Sequence, residues 1–297
     1  MNLYISQLAK NTVGNSILLS GSARSGTTII GKIIHSFENV EYVFEPPLLF
    51  SLISLIDSLS ESNWKLLYET YLYEEFYINS ICGRSINCNR IDDSSIYKVK
   101  DNTQIENRLK NSLGKNEAEE IGKNRILAYK LPDIIPFIPN ILNYYPTIRV
   151  IIIKRDAIDT INSLLTKKWF HDDSLKTNQI WPFRIYEEMH VPYWVREEDD
   201  QKWLKMNEID RCAYYYVRVS EGIEKIHTKI EISYRELLKN PIRVVSILAE
   251  RLCLKFGAKT KELIDEVKPT NALKDYGIID KINFELAKDV KFYSSQP

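Results

Sequence analysis

The chain has no net charge, no long apolar run and few cysteines, and each absence excludes a class of protein. Forty acidic side chains balance forty basic ones in 297 residues. A chain without net positive charge is not typical of nucleic-acid-binding proteins, although basic residues can still cluster locally. No stretch reaches the roughly eighteen apolar residues of a membrane-spanning helix, and residues 1–11 have no apolar signal-peptide core.

The four cysteines, at positions 82, 88, 212 and 253, are scattered along the chain. They lack the paired spacing of zinc ligands, and the four histidines do not cluster near them. We therefore expect no metal site, reduced thiols and a soluble cytoplasmic protein. There is no internal repeat and no low-complexity linker, so residues 1–297 fit one domain.

Residues 17–37 have the pattern of a strand, a loop and a helix. Residues 17–19 form a short apolar run of the kind found in buried parallel strands, and from Thr27 the apolar residues fall on one helix face. The intervening loop has glycines for tight turns, amides at a helix start and a positive charge. These features predict a site for a phosphate-like anion, made by Arg24, Ser25, Gly26, Thr27 and Thr28.

The loop differs from the nucleoside-triphosphate P-loop at one informative position. That pattern needs a lysine after its second glycine to reach the outer phosphates. Here the position holds Thr27, and the basic residue is Arg24 within the loop. The difference favours a terminal group with less charge than a γ-phosphate, and the alternative is an ordinary glycine turn.

Two charged residues follow further predicted strands. Residues 41–44 predict a strand that ends at Glu45, because the prolines after it cannot supply ladder amides, and residues 126–129 predict a strand that ends at Lys130. In open α/β sheets the ligand crevice lies outside the carboxyl ends of the strands. Both side chains can therefore face a ligand; the alternative for Glu45 is a solvated turn residue.

The whole pattern predicts an α/β fold: a P-loop-like parallel β-sheet with helices on both faces. Apolar spacing between the second and third strands is helical, which predicts a helical insertion at about residues 48–125.

Residues 149–153 predict the strongest strand, and Asp156 can cap the helix after it. In that helix an inward stripe is expected at Ile158, Ile161, Leu164 and Leu165. Arg155 leaves the strand end, and Ser163 lies off this stripe, with its hydroxyl free to face a ligand.

Two motifs resemble those of sulfotransferases, which use 3′-phosphoadenosine 5′-phosphosulfate (PAPS). Residues 22–28, SARSGTT, resemble the 5′-phosphosulfate loop, and residues 149–165, RVIIIKRDAIDTINSLL, resemble the second family motif. In the family an Arg and a Ser eight residues later hold the 3′-phosphate, and they match Arg155 and Ser163. A guanidinium fork suits a phosphate, and the 3′-phosphate distinguishes PAPS from ATP.

The resemblance covers most of residues 16–256. It implies that Tyr234 lies near the adenine; the alternative is a core tyrosine. The helix after Pro241 is expected to cover the sheet with five apolar residues, Ile242, Val245, Leu248, Ala249 and Leu252. The family's basic glycine-containing loop has no convincing match in residues 268–281, so a third contact to the 3′-phosphate stays open.

The resemblance also implies a general base. Many small-molecule sulfotransferases use a histidine in a K-T-H-x-P-like segment, but residues 129–132 read YKLP. Carbohydrate-type and bacterial members often place a glutamate in an E-P pair, which Glu45 and Pro46 resemble. We therefore expect Glu45 to be the base, with Arg24, Lys130 and the loop amides stabilising charge without a metal.

An aromatic-rich region at about residues 166–205 is the expected acceptor region. It contains Trp169, Phe170, Trp181, Phe183, Tyr186, Tyr193, Trp194 and Trp203. Aromatic faces beside polar groups suit sugar rings, although large aromatics are also common in cores. With the E-P resemblance, they favour a small-molecule or glycan acceptor that presents a saccharide hydroxyl.

Two alternatives of another class stay open. A P-loop kinase or NTPase would share the strand, loop and helix, but it should carry the missing lysine and a magnesium-binding acid. A non-catalytic nucleotide-binding protein would keep Arg155 and Ser163 but tolerate the loss of Glu45.

Overall fold

The computed structural model describes residues 3–110, 113–177, 182–267 and 277–295. In these ranges the main sheet has five parallel strands in the order β2-β3-β1-β4-β7. The strands are β1 (Ile17–Gly21), β2 (Val40–Phe44), β3 (Ile126–Lys130), β4 (Arg149–Lys154) and β7 (Lys229–Ser233), and a separate antiparallel hairpin joins β5 (Phe183–Tyr186) to β6 (Met189–Pro192). The predicted parallel α/β sheet is confirmed.

Helices connect the strands and cover both faces of the sheet. The α-helices are α1 (Gln7–Gly14), α2 (Thr27–Ser36), α3 (Pro47–Ser54), α4 (Glu61–Glu69), α5 (Asn79–Ile81), α6 (Asn102–Lys110), α7 (Lys115–Gly122), α8 (Ile138–Tyr144), α9 (Ala157–Lys167), α10 (Asp172–Lys176), α11 (Asp200–Lys205), α12 (Glu208–Glu224), α13 (Tyr234–Lys239), α14 (Pro241–Leu252), α15 (Thr260–Asp265) and α16 (Phe284–Ser294). A π-helix spans Thr70–Ile78, and short 3₁₀ turns span Ile96–Lys98, Ile135–Phe137, Glu197–Asp199 and Ile279–Lys281. No helix among the described residues is long and apolar enough to cross a membrane.

Alternating side chains of the central strand fill two separate cores. In β1, Ile17 and Leu19 pack in the core that includes helix α2, whereas Leu18 packs in the core that includes α12. Successive side chains of a strand point to opposite faces, so a strand covered on both sides must be apolar throughout. The uninterrupted apolar runs of β1 and β4 are therefore a consequence of helices on both faces.

Two of the predicted buried stripes need correction. In α14 the side chain of Ile242 is 51 % exposed, while the other four predicted residues are buried. Ile242 lies in the first turn, and the helix covers the sheet only from Val245 onward. In α9, Ile161 and Leu164 are fully buried, whereas Ile158 and Leu165 lie half-buried at the edge of the same core.

The helical insertion packs through aromatic side chains. Trp64 of α4 is fully buried, and its Nε1 donates to the Leu52 carbonyl at 2.6 Å. The hydroxyls of Tyr68 and Tyr129 lie 2.6 Å apart and join α4 to β3. These contacts place Trp64 and Tyr68 of this segment in the core.

A buried ionic cluster fixes the insertion to the edge strand of the sheet. Glu41 of β2 is fully buried and accepts two hydrogen bonds from the Arg108 guanidinium, at 2.7 and 2.8 Å. Ser80 donates to it at 2.7 Å, and Arg125 forms a further ion pair. The adjacent guanidinium of Arg108 overcomes the desolvation cost and holds the pKa of Glu41 well below its usual range. The carboxylate therefore compensates two cations that the insertion brings to the sheet.

We expect Glu41→Gln to lower the free energy of unfolding by about 3 kcal/mol, because Arg108 would keep a buried charge without its partner. Urea denaturation measures the loss. Glu106→Gln is the matched control: its ion pair with Lys110 is exposed, so the change should stay within about 0.5 kcal/mol. Equal effects of the two substitutions would contradict the assignment of Glu41 as the anchor.

Candidate active site

A cavity of about 1030 Å³ lies at the carboxyl ends of the sheet strands. Residues that end or follow each of the five strands line it: Arg24 after β1, Glu45 after β2, Lys130 at the end of β3, Arg155 after β4 and Tyr234 after β7. Gly26, Thr27, Thr28 and Ser163 also contribute to the lining. The structure thus brings together every predicted site residue except Ser25.

Ser25 is buried below the loop and stabilises its turn through hydrogen bonds. It is fully buried, and both its amide and its hydroxyl donate to the Ser22 carbonyl, at 3.2 and 2.6 Å. Helix α2 begins directly after Gly26 without a side-chain cap. The first amides of a helix have no intrahelical partners, so this end can receive an anion.

The loop after β1 contacts Arg155 and Ser163, which follow β4, although about 130 positions separate the two segments in the chain. Arg24 Nε donates to the hydroxyl of Ser163 at 3.4 Å, and Arg155 donates to the backbone carbonyl of Arg24. The Nε of Arg155 is buried and has no hydrogen-bond partner in the described part of the chain. Two guanidinium groups and one hydroxyl therefore line the same end of the cavity.

Tyr234 lies over the loop between β1 and α2, residues 22–26, which we call the anion loop. A Cβ atom added to Gly26 would lie 2.4 Å from the Tyr234 ring, and the Arg155 guanidinium lies 5.1 Å from the centre of that ring. Tyr234 is half-buried: it lines the cavity and also packs against the core that includes α2, so its place near the adenine stays a prediction.

Lys130 and Glu45 form an ion pair beside the loop. Lys130 is only 2 % exposed, forms the pair with the Glu45 carboxylate and donates to the Thr28 hydroxyl at 3.0 Å. Burial lowers the pKa of Lys130, and the carboxylate of Glu45 opposes that shift. The ammonium is thus held between a carboxylate and the start of α2.

Three charged residues of the cavity have left-handed backbone conformations, with φ of 68° at Arg24, 45° at Glu45 and 65° at Asp133. Such conformations cost free energy in residues other than glycine, and they are concentrated at functional sites.

Asp133 and Tyr215 were not predicted as site residues. Asp133 lines the cavity three positions after Lys130, and burial raises the pKa of its carboxyl to about 6. The strand-end argument used for Glu45 also applies to Asp133. Tyr215 is 1 % exposed on α12 and donates to Asp133, and no motif in the sequence indicates it.

The aromatic-rich region divides between cavity and core. Trp169, Phe170, Tyr193 and Trp194 line the cavity, but the last three are at most 8 % exposed. Trp203 is fully buried, Phe183 and Tyr186 lie in the hairpin, and Trp181 lies outside the described residues. Trp169 is therefore the member of the region with the most accessible ring at the cavity.

A comparison with protein-family models identifies the family of the chain. Residues 16–257 match a family model described as "Sulfotransferase family", so the chain belongs to the sulfotransferase family, a family of enzymes. No individually curated protein sequence gives a significant match.

Similar solved structures are distant. One is the sulfotransferase domain from the curacin biosynthetic pathway, with 13 % identity, 95 % of this chain and 96 % of that chain covered and a TM-score of 0.49. Another is a sulfotransferase from Alicyclobacillus acidocaldarius, with 11 % identity, coverage of 95 % and 96 % and a TM-score of 0.43. A third is the sulfotransferase domain of the Synechococcus PCC 7002 olefin synthase, with 12 % identity, coverage of 95 % and 96 % and a TM-score of 0.46. These likenesses are too distant to indicate what this chain binds.

We expect Gly26→Ala to abolish binding of anions at the loop, because φ at Gly26 is 87° and the new methyl group would collide with Tyr234. Isothermal titration calorimetry with adenosine 3′,5′-bisphosphate measures the effect. Gly14→Ala is the matched control, since its added Cβ would lie in ordinary van der Waals contact with the side chains of Thr147 and Tyr145, at 3.4 and 4.0 Å. Unchanged affinity in Gly26→Ala would contradict the role of this turn.

Proposed function

We propose that the protein transfers the sulfuryl group of PAPS to a hydroxyl of a small-molecule or glycan acceptor, with a saccharide as the favoured class. The observation that supports this most is the contact between Arg24, Arg155 and Ser163. Two anion sites in one cavity suit a nucleotide with phosphates at both its 3′ and 5′ positions. A cytoplasmic location stays a prediction from the sequence.

In this proposal the donor lies along the loop side of the cavity. Gly26, Thr27 and Thr28 hold the 5′-phosphosulfate at the start of α2, and Arg24 adds positive charge there. Arg155 and Ser163 hold the 3′-phosphate. Tyr234 lies over Gly26 and beside Arg155, a position from which its ring can contact the adenosine.

The proposed chemistry uses the ion pair of Glu45 with Lys130. The acceptor oxygen forms a bond to sulfur while the bond from sulfur to the 5′-phosphate oxygen breaks, and the electron pair stays on that phosphate oxygen. Glu45 takes the acceptor proton. Protonation removes the negative partner of Lys130, whose ammonium then stabilises the departing oxygen together with Arg24 and the loop amides. The products are the sulfated acceptor and adenosine 3′,5′-bisphosphate.

The acceptor class is inferred from the residues of the cavity lining that are not assigned to the nucleotide. Phe44, Pro47, Phe50 and Trp169 supply apolar surface there, and Asp133 supplies a hydrogen-bond acceptor. Aromatic surface beside a few polar groups is typical of sites for sugar rings. A cavity of about 1030 Å³ can hold an acceptor in addition to the nucleotide.

Adenosine 3′,5′-bisphosphate is expected to raise the melting temperature by several degrees at a concentration of about 100 times its Kd, because ligand that binds the native state stabilises it by roughly 2.7 kcal/mol. AMP, which lacks the 3′-phosphate, should give a smaller shift. Arg155→Ala should remove the difference between the two nucleotides, as measured by differential scanning fluorimetry.

Arg251→Ala is the control for that experiment, because Arg251 is an exposed arginine of α14 outside the cavity lining. It should keep the full difference between bisphosphate and AMP. A larger shift with ATP than with the bisphosphate, independent of Arg155, would reject the sulfotransferase proposal and favour the kinase alternative.

Glu45→Gln is expected to lower the rate of sulfuryl transfer by about 10²–10⁴-fold, because glutamine cannot take the acceptor proton. The assay follows labelled sulfate from PAPS into a panel of methyl glycosides, and affinity for the bisphosphate should change little. Glu75→Gln, which lies outside the cavity lining, is the control. Unchanged transfer in Glu45→Gln would reject Glu45 as the base, and nucleotide binding without any transfer in the wild type would favour the non-catalytic alternative.

A further inference from the structure

A tyrosine in the middle of α12 contacts the backbone of the anion loop. The Tyr215 hydroxyl accepts a hydrogen bond from the Ala23 amide at 2.6 Å and donates one to Asp133. Tyr215 and Ala23 lie 192 positions apart in the chain. The contact joins the loop after β1 to a helix that does not belong to the predicted nucleotide site.

The peptide group between Ser22 and Ala23 is thereby held at both of its polar atoms. Its carbonyl accepts from the amide and hydroxyl of Ser25, and its amide donates to Tyr215. Arg24, the next residue, has φ of 68° and turns the chain toward the start of α2. The orientation of this one peptide group therefore sets the direction in which the following loop residues meet the cavity.

Rigid packing holds the tyrosine ring in place. Its centroid lies 4.9 Å from that of Trp194 and 5.6 Å from that of Phe170, in an aromatic cluster at the cavity wall. Asp133 sets the direction of the hydroxyl hydrogen: because a tyrosine has only one, donation to Asp133 leaves an oxygen lone pair for the Ala23 amide. Tyr215 and Asp133 thus act as a pair.

We propose that Tyr215, oriented by Asp133, is a positioning residue that holds the anion loop in the conformation that binds the 5′-group of the nucleotide. This proposal rests on the proposed function, since it requires a 5′-phosphate at the loop. It assigns Tyr215 no contact with the ligand. Its loss should therefore affect the 5′-phosphate and leave the 3′-phosphate contacts unchanged.

The test compares adenosine 3′,5′-bisphosphate with adenosine 3′-monophosphate by isothermal titration calorimetry. In the wild type the bisphosphate should bind more tightly, and the ratio measures the 5′-phosphate. In Tyr215→Phe the bisphosphate affinity should fall about tenfold while the 3′-monophosphate affinity stays the same. Tyr214→Phe is the matched control, because the neighbouring hydroxyl donates to Asp199 at 2.7 Å and should not affect either ligand.

Two substitutions of Asp133 provide a second measurement that keeps the tyrosine. Asp133→Gly removes the acceptor of the Tyr215 hydroxyl, tolerates the left-handed backbone at this position and should reproduce the selective loss. Asp133→Asn keeps a carbonyl oxygen at the same place and should bind the bisphosphate more tightly than the glycine variant.

The affinities for the two nucleotides test the role of Tyr215 separately from the proposed function. An equal loss for both nucleotides in Tyr215→Phe would show a general structural role and overturn the inference, and so would no loss at all. A wild-type protein that does not distinguish the two nucleotides would overturn the proposed 5′-site itself, and the inference with it.

Discussion

The parallel pairing of β1 with β3 and β4 is the constraint on which the site depends. Parallel strands place their carboxyl ends at one edge of the sheet, and the loops that follow them therefore meet. In the observed register Leu19 lies beside Lys130, and Gly21 lies beside Ile153, two positions before Arg155. The loop that follows β1 therefore lies between the residues at the ends of β3 and β4. These segments, which are distant in the chain, together form the cavity.

Two glutamates, one within β2 and one directly after it, have different roles. Glu41, near its beginning, is fully buried and compensates two arginines of the helical insertion, so it serves the fold. Glu45, directly after its end, is about one-third exposed, faces the cavity and pairs with a lysine of the neighbouring strand. The difference follows from burial. A fully buried carboxylate needs a cation and hydrogen-bond donors for its charge, whereas a partly exposed carboxylate can give up its ion pair with a lysine.

The aromatic-rich region has a larger structural part than its composition suggests. Phe170, Trp194 and Trp203 pack with Tyr215 in one cluster, with ring centroids about 5 Å apart. The same cluster forms a wall of the cavity and fixes the helix residue that contacts the anion loop. A single set of rings therefore connects the proposed acceptor side to the nucleotide side.

The sequence predicted four of the five strands of the main sheet, the loop with its helix and the residue types at the ends of these strands. These features depend on local patterns: apolar runs, glycine turns and capping residues act over a few positions. It did not indicate the β5–β6 hairpin, because the turn holds Glu187 and Glu188 in left-handed conformations where asparagine and glycine are usual. Tyr215 could be identified only from the three-dimensional structure, which also shows that Asp133, a residue shortly after a strand end, is its partner. The contacts of Tyr215 with Ala23 and Asp133 join residues that lie 192 and 82 positions apart in the chain, and no local pattern contains such distances.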